Sequence, residues 1–435
     1  MTKENVANIP AGGFAPTETF LDCVHCGLCH SACPTYVALG TEADSPRGRI
    51  HLMRALQEGQ LAVDDDAVRH LDLCLGCRGC ETACPSGVAY GTLIEAARPW
   101  IEARHQRPFV ERWWRWLTIA VLTSPRLLRV LLMPLRFLEV VGVLALVRRV
   151  ARHLPVALRS AIQLIPVPLT APATLPAATV PVGPERATVQ VLGGCVMPEM
   201  FGETVRNTVS VLASNGCRVL VPAGQGCCGA LALHAGDRPR ALAQARRTLD
   251  AIAAATPATG VPPPIVVNAA GCGALMKEYG ALFADDPARA DIARAIAARV
   301  RDATELLAEL GLRALPTTGI PRRVAYHDPC HLAHAQGIRS APRALLAAIP
   351  GVTLVPMDDE DLCCGSAGHY NVTQPAMART LVARKVAAIR ASGADLVATA
   401  NAGCALQLEA GLRAAGLDVP VRHVVDLLAE AYAQR

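Results

Sequence analysis

One cysteine spacing occurs twice within the first hundred residues, and it constrains the fold of this 435-residue chain more than any other feature. The pattern is Cys-x2-Cys-x2-Cys-x3-Cys-Pro, and its two copies contain Cys23, Cys26, Cys29 and Cys33, then Cys74, Cys77, Cys80 and Cys84. In the bacterial form of this spacing, three close thiolates bind one [4Fe–4S] cluster, and the Cys before Pro binds the neighbouring cluster. The spacing predicts a first cluster on Cys23, Cys26, Cys29 and Cys84, and a second on Cys74, Cys77, Cys80 and Cys33.

Zinc binding and disulfide formation are the alternative uses of these cysteines. Structural zinc sites use paired Cys-x2-Cys groups rather than a triplet plus one distant ligand. Disulfides are typical of secreted chains, and residues 1–10 lack the apolar stretch of a secretory signal. Residues 1–97 are therefore predicted to form a helical ferredoxin-type domain with two [4Fe–4S] clusters, in a reducing, cytoplasmic setting.

Positive charge and tryptophan are concentrated in residues 98–165. Between residues 98 and 159 the chain has 12 Arg and three acidic residues, and all four Trp lie between residues 100 and 116. The longest uninterrupted apolar run, residues 140–147, is far below the roughly 18 residues of a membrane-spanning helix. We predict a basic helical arm, which either lies in the membrane interface or packs against other domains or a partner subunit.

A linker is predicted over residues 166–185, because six prolines fall between residues 166 and 184 and prevent a long helix. Beyond the linker, short β-branched runs alternate with Ala-rich segments, which is typical of α/β domains. This pattern occurs twice. Two tandem α/β cysteine-rich domains are predicted, over residues 186–315 and 322–435, and the fold class of the whole chain is α+β, multi-domain.

Each half of this repeat contains a lone Cys, a Cys-Cys-Gly motif and a final Cys, each shortly after a predicted strand. The first half contains Cys195, Cys227, Cys228 and Cys272, and the second contains Cys330, Cys363, Cys364 and Cys404. In an open parallel sheet the loops after the strands meet at the carboxyl edge, where ligands bind. We expect the four thiols of each half to converge, as redox thiols or as ligands of an additional iron–sulfur cluster; core packing is the alternative. Cys217, which occurs in one half only, is interpreted as a core residue.

Arginine and histidine side chains also lie near the cysteines. Arg47, Arg49 and Arg78 would raise the reduction potential of a cluster, unless they are ordinary surface or partner-contact residues. The histidines of the second half are interpreted as solvated residues or helix caps, with quinone or proton handling as the alternative. They are His327, His331, His334, His369 and His423.

The combination of these motifs resembles the iron–sulfur subunit of glycolate dehydrogenase, also called glycolate oxidase, over nearly the whole chain. Beyond the two cysteine runs, the matching segments are Pro46–Ile50, Cys227–Gly229, Asn268–Gly273, Lys277–Gly280, Cys363–Gly368 and Thr399–Cys404. Two ferredoxin-type runs followed by two Cys-Cys-Gly modules form a much narrower signature than either motif alone. Subunits of lactate and glycerol-3-phosphate dehydrogenases are similar, so the resemblance leaves the substrate open among these three.

The resemblance implies an oxidoreductase subunit without a catalytic residue of its own. Partner subunits carrying FAD would oxidise glycolate to glyoxylate, and this chain would pass the electrons through two [4Fe–4S] clusters to a quinone or another acceptor that is neither NAD nor oxygen. The complex would be peripherally attached to the cytoplasmic side of the inner membrane, and the chain would bind no nucleic acid. The absence of a Gly-rich dinucleotide fingerprint after a strand agrees with FAD in partner subunits only.

Related Cys-Cys-Gly modules in heterodisulfide reductases end in Cys-x2-Cys, and some of them hold an unusual iron–sulfur cluster. Here Ala269 and Asn401 replace the first Cys of that pair, which counts against an additional cluster of that kind. Two further hypotheses follow, namely that the modules reduce a disulfide themselves, or that the chain is an iron–sulfur sensor or scaffold. Two closely coupled clusters favour electron conduction over sensing.

Overall fold

The computed structural model describes residues 12–154, 159, 162–257 and 259–433. The helices of the ferredoxin-type domain are α1 Thr17–Leu21, α2 Pro34–Leu39, α3 Pro46–Gln57, α4 Asp65–Asp72, α5 Gly79–Thr82 and α6 Tyr90–Glu102. They enclose a small core in which Met53 and Leu56 of α3 meet Leu93 and Ile94 of α6. The domain is therefore helical, as the sequence predicts.

Helix α3 begins where the local chemistry favours a helix start. The Ser45 Oγ accepts a hydrogen bond from the Gly48 backbone N–H at 3.0 Å, and Pro46 occupies the first turn. The helix therefore starts at Pro46, directly after its capping residue. The predicted domain end at residue 97 falls inside helix α6, so this helix joins the ferredoxin-type domain to the arm without a break.

The arm consists of helices α7 Phe109–Leu122, α8 Pro125–Val140 and α9 Leu144–Val150. Its inner face packs on the rest of the chain, where Ile119 enters the core of the first cysteine-rich module and Leu128 and Leu132 pack with Met200. In the part of the chain that the structure describes, no single helix is both long and apolar enough to cross a membrane. Helices α7 and α8 meet that requirement only together, and they are bent by 92° at their junction.

The first cysteine-rich module is built on a sheet of order β1-β3-β2-β4-β5, parallel except for β1. Its strands are β1 Ala178–Thr179, β2 Ala187–Val191, β3 Cys217–Leu220, β4 Ile265–Val267 and β5 Val300–Asp302. Its helices are α10 Met197–Met200, α11 Gly202–Ser214, α12 Ala230–His234, α13 Arg238–Ala254, α14 Ala270–Lys277, α15 Tyr279–Leu282, α16 Ala290–Arg299 and α17 Ala303–Leu310. Strand β1 corrects the sequence prediction, because it lies inside the segment interpreted as a linker and pairs with β3.

The second cysteine-rich module repeats this arrangement in a parallel sheet of order β7-β6-β8-β9. Its strands are β6 Arg322–Tyr326, β7 Val352–Val355, β8 Leu396–Thr399 and β9 Val421–His423. Its helices are α18 Ser340–Ala347, α19 Tyr370–Thr373, α20 Pro375–Ser392, α21 Ala402–Ala414 and α22 Val424–Ala433, with a π-helical turn at His331–Ala335. The order β3-β2-β4-β5 of the first module is the same, so the predicted duplication is present in the fold.

The two modules share one hydrophobic core. Val209 and Leu212 of helix α11 belong to the same buried cluster as Val425 and Leu428 of helix α22. Cys217 is also part of this cluster and is fully buried, in agreement with its interpretation as a core residue. The modules are therefore packed together as one body rather than joined only by the chain.

The glycine of the first Cys-Cys-Gly motif has a backbone that a larger residue would strain. Gly229 has a φ of +96°, and a Cβ at this position would lie 2.7 Å from the Ala241 carbonyl oxygen. Gly224 also has a positive φ, of +80°, but no atom lies within 4 Å of such a Cβ. We expect Gly224→Ala to cost about 1–2 kcal/mol, the ordinary penalty of the left-handed region, and Gly229→Ala to cost more because of the clash. Urea unfolding followed by circular dichroism measures both, and equal destabilisation would contradict this reading.

Candidate metal centres

The four cysteines predicted for the second cluster surround one cavity. This cavity, about 300 Å³ and partly open to solvent, is lined by Cys33, Cys74, Cys77 and Cys80, together with Arg49, Arg78, Thr35, Tyr90 and apolar residues. Four thiols around a shared space are the donor set that a [4Fe–4S] cluster requires. Iron binding by these cysteines stays a prediction, and the cavity is the structural feature that supports it.

Local backbone geometry directs these thiols toward the cavity. Gly76 and Arg78 both have positive φ, which bends the loop from residue 74 to residue 80. Cys33 has an extended backbone and directly precedes helix α2, which starts with Pro34. The Pro after the fourth Cys of the run therefore turns the chain, as the motif requires.

Two arginines offset the negative charge of the thiolates. The Arg49 side chain is only 1% exposed, and its Nη1 lies 3.8 Å from Cys33 Sγ. The Nη2 of Arg98 donates to the Cys74 carbonyl at 2.6 Å. Burial alone would raise the pKa of the Cys74 thiol, but the charges of Arg49 and Arg98 outweigh burial and hold that pKa below its usual value. The sequence pointed to Arg49 and missed Arg98, which is close to Cys74 only in the folded chain.

The thiols of Cys77 and Cys80, which also line this cavity, lie in surroundings that oppose their ionisation. Burial raises the pKa of the Cys77 and Cys80 thiols well above the usual value, and neighbouring thiolates raise it further. Metal ligands must be deprotonated, and a bound metal supplies the positive charge that stabilises them. Ionisation of these two thiols would therefore require a bound metal in addition to the protein.

The cysteines predicted for the first cluster lie closer to the surface. Cys23, Cys29 and Cys84 pack against the ferredoxin-type core, whereas Cys26 is exposed. Burial raises the pKa of the Cys29 thiol, and the nearby thiols of Cys23 and Cys33 add to the shift. The exposure of Cys26 places this site nearer to solvent than the second one.

Arg47 and Arg78, the other two arginines noted in the sequence, are held by carboxylates. Arg47 forms an ion pair with Glu42 at 2.7 Å and donates from Nη1 to the His25 carbonyl at 2.6 Å. Arg78 pairs with Glu81 at 2.7 Å and also with Glu278 of the first module. Their charge near the cysteines is therefore partly neutralised, as is that of Arg49, whose Nη2 lies 3.4 Å from Asp44 Oδ1.

The four thiols of each cysteine-rich module converge beyond the carboxyl edge of its sheet. In the first module, hydrogen-bond contacts join Cys195 to Cys227, Cys227 to Cys228 and Cys228 to Cys272. In the second module, the same contacts join Cys330 to Cys363, Cys363 to Cys364 and Cys364 to Cys404. The four thiols of each module are therefore neighbours in the fold, although they lie far apart along the chain.

The second module packs directly on the loop of the second cysteine run. Burial raises the pKa of the Cys77 thiol, and Cys330 of the second module raises it further, so these two sulfurs are near neighbours. The Nε2 of His331 lies 3.0 Å from the Gly76 carbonyl in the same loop. The predicted second cluster and the thiols of the second module therefore adjoin each other in space.

The histidines of the second module correct their interpretation as solvated residues. His327, His369 and His423 are buried. His334 Nδ1 lies 3.0 Å from Thr82 Oγ1 of the ferredoxin-type domain. His423 does act as a cap, since its Nδ1 accepts a hydrogen bond from the Val425 N–H at the start of helix α22. His331 and His334 contact the ferredoxin-type domain, which is far away along the chain, so no local sequence signal could have identified these contacts.

Two family models match the chain where these motifs lie. A 4Fe–4S dicluster domain matches residues 19–88, and a cysteine-rich domain matches residues 189–277 and 324–409. The two matches of the second model coincide with the duplicated modules. They show the same order of parts that the sequence predicts, a ferredoxin-type domain followed by a cysteine-rich pair.

Curated relatives cover almost the whole chain. The probable glycolate oxidase iron-sulfur subunit of Bacillus subtilis (strain 168) is 37% identical over 424 residues, which covers 94% of either chain. The glycolate oxidase iron-sulfur subunit of Escherichia coli (strain K12) is 36% identical over 414 residues, 94% of this chain and 93% of that protein. Lactate utilization protein A of Shouchella clausii is 30% identical over 238 residues, which covers 54% of this chain and 95% of that protein.

Replacement of the buried Arg49 should make the second cluster harder to reduce. Arg49→Leu removes a positive charge beside the thiolates, so the added electron loses a stabilising interaction. We expect a potential lower by about 60 mV or more, the one-electron equivalent of roughly 1.4 kcal/mol, in an EPR-monitored redox titration of the iron-loaded protein. Arg54→Leu on the same helix is the control, because Arg54 is 42% exposed. An unchanged potential in Arg49→Leu would exclude this role.

Proposed function

This chain belongs to the family of glycolate oxidase iron–sulfur subunits, and on that premise we propose that it is the electron-transfer subunit of a glycolate-oxidising complex. In this proposal, partner subunits oxidise glycolate to glyoxylate on FAD. The chain takes up the electrons and passes them through two [4Fe–4S] clusters to a quinone or another acceptor. The observation that carries the proposal is the cavity enclosed by four cysteines beside a buried arginine.

The chain contributes the environment in which the electrons are held. Each [4Fe–4S] cluster would supply one-electron redox chemistry when bound. Hydrogen bonds to the ligand sulfurs and low exposure tune the potential of such a site. Here the Tyr90 hydroxyl donates to Cys74 Sγ at 3.5 Å, and the Gly76 N–H donates to the same sulfur at 3.4 Å. Arg49 and Arg98 add positive charge, so the second site is built to stabilise a reduced, more negative state.

We propose that the first site faces the subunit that delivers the electrons. Val24 and Leu28, which flank the exposed Cys26, are 67% and 60% exposed. Apolar side chains beside a redox ligand favour contact with a protein partner, because such a contact removes them from water. The second site, which adjoins the second module, would then be the more distant acceptor of the two.

Glycolate is the substrate that the relatives favour over lactate. The two glycolate oxidase subunits match the chain through the ferredoxin-type domain and both modules, with 94% of its length covered. Lactate utilization protein A covers only 54% of this chain. We therefore propose that the partner flavin subunits act on glycolate, with lactate as the competing substrate in the test below.

Cys29→Ser should interrupt electron transfer without stopping oxidation at the flavin. In the complex purified with its partner subunits, glycolate should still reduce the FAD absorbance, while reduction of a quinone analogue should fall to background. The reason is that a serine hydroxyl does not replace the thiolate that the cluster requires. Cys217→Ala, at a core cysteine outside the runs, is the control and should keep both activities. Normal quinone reduction by Cys29→Ser would refute the electron path, and flavin reduction by lactate but not glycolate would refute the substrate.

We also propose that the arm contacts the cytoplasmic face of the inner membrane. Helices α7 and α8 expose a series of large apolar side chains, namely Phe109, Val110, Trp113, Trp116, Leu127, Val130, Leu131, Met133, Phe137 and Val140. Tryptophan and basic residues on such a surface favour the interfacial region of a bilayer. The opposite side of the arm is fixed to the protein, since Arg129 pairs with the buried Glu199 at 2.7 Å.

Acidic substitutions on this exposed face should release the protein from lipid. The double variant Val130→Glu/Phe137→Glu places negative charge on side chains that are 66% and 67% exposed, so the fold should tolerate it. We expect at least about a tenfold loss of binding to vesicles containing anionic lipid, in a flotation assay, because both apolar contact and charge attraction are weakened. Val261→Glu, at a residue that is 94% exposed outside the arm, is the control. Equal flotation of both variants would argue against membrane contact through the arm.

A further inference from the structure

The second cysteine-rich module contains a group of metal-ligating side chains that includes a histidine. His327 directly follows strand β6 and is fully buried, and among the described residues neither ring nitrogen has a hydrogen-bond partner of ordinary geometry, although the Glu360 backbone lies close by. A ring nitrogen of His327 and the sulfurs of Cys364 and Cys404 all lie within 4.8 Å of one another. A buried polar group without a partner is costly, and such groups are usually satisfied by a bound ligand, water or ion. The imidazole therefore indicates a ligand at this position.

The topology of the sheet explains why these three residues meet. Strand β6 lies between β7 and β8, and the three residues come from the segments that follow these three strands. From β6 the chain continues to β7 on one side and then to β8 on the other side. The carboxyl end of β6 is therefore the point at which the strand order reverses. Open α/β sheets bind ligands at such a point, beyond the carboxyl ends of the strands.

The spacing of the sulfurs fits one ion better than a cubane cluster. In a cubane each thiolate binds a different corner, with the iron–sulfide core between them, as the cavity of the second ferredoxin-type run permits. In the second module, Cys364 interacts with both Cys363 and Cys404, and its sulfur lies within 4.8 Å of the Cys404 sulfur. Ligands of one tetrahedral zinc ion lie about 3.8 Å apart, given Zn–S distances of about 2.3 Å. The ligand atoms of His327, Cys364 and Cys404 lie within 4.8 Å of one another, which is compatible with that value.

The first module supplies an internal comparison. Leu192 follows strand β2 there, and like His327 it stands three positions before the lone Cys of its module. Leu192 is also buried, but it offers no ligand atom. The duplicated fold therefore does not require a histidine at this position, and the imidazole of the second module needs a separate explanation.

A buried lysine near the thiols of the second module supports the same conclusion. Lys385 is 1% exposed, its Nζ donates to the Asp359 carbonyl, and its charge lies close to Cys363 and Cys364. The equivalent residue of the first module is Thr248. Each of the two residues lies seven positions, or two helical turns, after the alanine whose carbonyl oxygen is near the glycine of the Cys-Cys-Gly motif, namely Ala241 or Ala378. A fully buried lysine is rare unless it is paired. Its charge offsets thiolates, which are the form of Cys that binds metal.

We infer that the second module binds one zinc ion through His327, Cys364 and Cys404. Zinc takes a fourth ligand, and Cys363, which is next to Cys364 but outside the group within 4.8 Å, would have to move to supply it. Imidazole nitrogen and thiolate sulfur are the ligands that zinc prefers, and binding would displace the thiol protons. The first module, with Leu192 in place of the histidine, is expected to bind no zinc. This inference does not depend on the substrate or on the electron path proposed above.

Such an ion would stabilise the face of the module that adjoins the second iron–sulfur site. It would join the chain segments after three neighbouring strands and fix Cys363, which contacts Cys330. Cys330 in turn lies beside Cys77 of the ferredoxin-type domain. The ion would therefore have a positioning role, because zinc itself has no redox chemistry.

Metal analysis of the whole chain, purified with its partner subunits from medium containing both iron and zinc, tests the inference. We expect one zinc per chain in addition to the cluster iron, and a zinc X-ray absorption spectrum with both nitrogen and sulfur ligands. His327→Leu, which copies the first module, should lose the zinc, whereas His327→Cys keeps a ligand atom and should retain it. The cluster iron and the circular dichroism spectrum should be unchanged in both variants, which shows that the chain has folded.

A matched pair of cysteine variants separates the two modules. Cys364→Ser should lose the zinc, whereas Cys228→Ser, the equivalent change in the first module, should retain it. Wild-type chain without zinc would overturn the inference, and so would zinc that survives both His327→Leu and Cys364→Ser. If the wild-type site holds iron instead of zinc, and His327→Leu loses that iron, the inference is also overturned, because the site would then be an iron site. Should His327→Leu fail to fold, Cys404→Ser supplies the same comparison.

Discussion

The structure depends on the compensation of buried charge around the loop from residue 74 to residue 80. Thiolates that bind iron carry negative charge into an interior where burial opposes ionisation. Arg49 supplies the opposite charge from within the core, where its Nε donates to the His70 carbonyl at 2.7 Å and its Nη2 lies 3.4 Å from Asp44. An exposed arginine would lose most of this effect to solvent screening. Arg49 can supply this charge only if helix α3 packs beside the cavity. This requirement constrains how the helices of the ferredoxin-type domain pack.

The same loop is where the ferredoxin-type domain and both cysteine-rich modules meet. Arg98 donates to the Cys74 carbonyl at 2.6 Å and to the His234 carbonyl of the first module at 2.7 Å. Tyr370 of the second module donates its hydroxyl to the Leu73 carbonyl at 3.0 Å. These bonds use backbone carbonyls beside the cysteines, so both modules help to fix the direction of the thiols. The duplicated half of the chain is thus part of the iron–sulfur site rather than a separate appendage.

The sequence predicts the features that rest on local spacing. The Pro-ended motif predicts that Cys33 shares a site with Cys74, Cys77 and Cys80. In the fold these four residues line one cavity although they lie far apart along the chain, and the cluster assignment stays a prediction. The sequence pattern predicts strands only shortly before the cysteines, and no Cys follows β5 before the next strand or follows β9 at all, so these two strands were not predicted. Strand β1 was missed because its Pro-rich surroundings hide an edge strand, where Pro is tolerated. The burial of Arg49 and the contacts of the histidines depend on distant segments, which no local pattern records.

Duplication makes the differences between the two modules interpretable. Strand order and the series of four thiols are the same in both, so the fold does not require the polar residues that distinguish the second module. Three positions near the thiols change from Leu192, Thr248 and Ala269 in the first module to His327, Lys385 and Asn401 in the second. The Nδ2 of Asn401 donates to Cys404 Sγ at 3.3 Å, so this change also acts directly on a thiol. All three changes place a hydrogen-bonding or charged side chain in the second module. This is the module whose Cys330 lies near Cys77, in the loop from residue 74 to residue 80. Site chemistry has thus diverged on a shared scaffold, in the copy that adjoins the redox site.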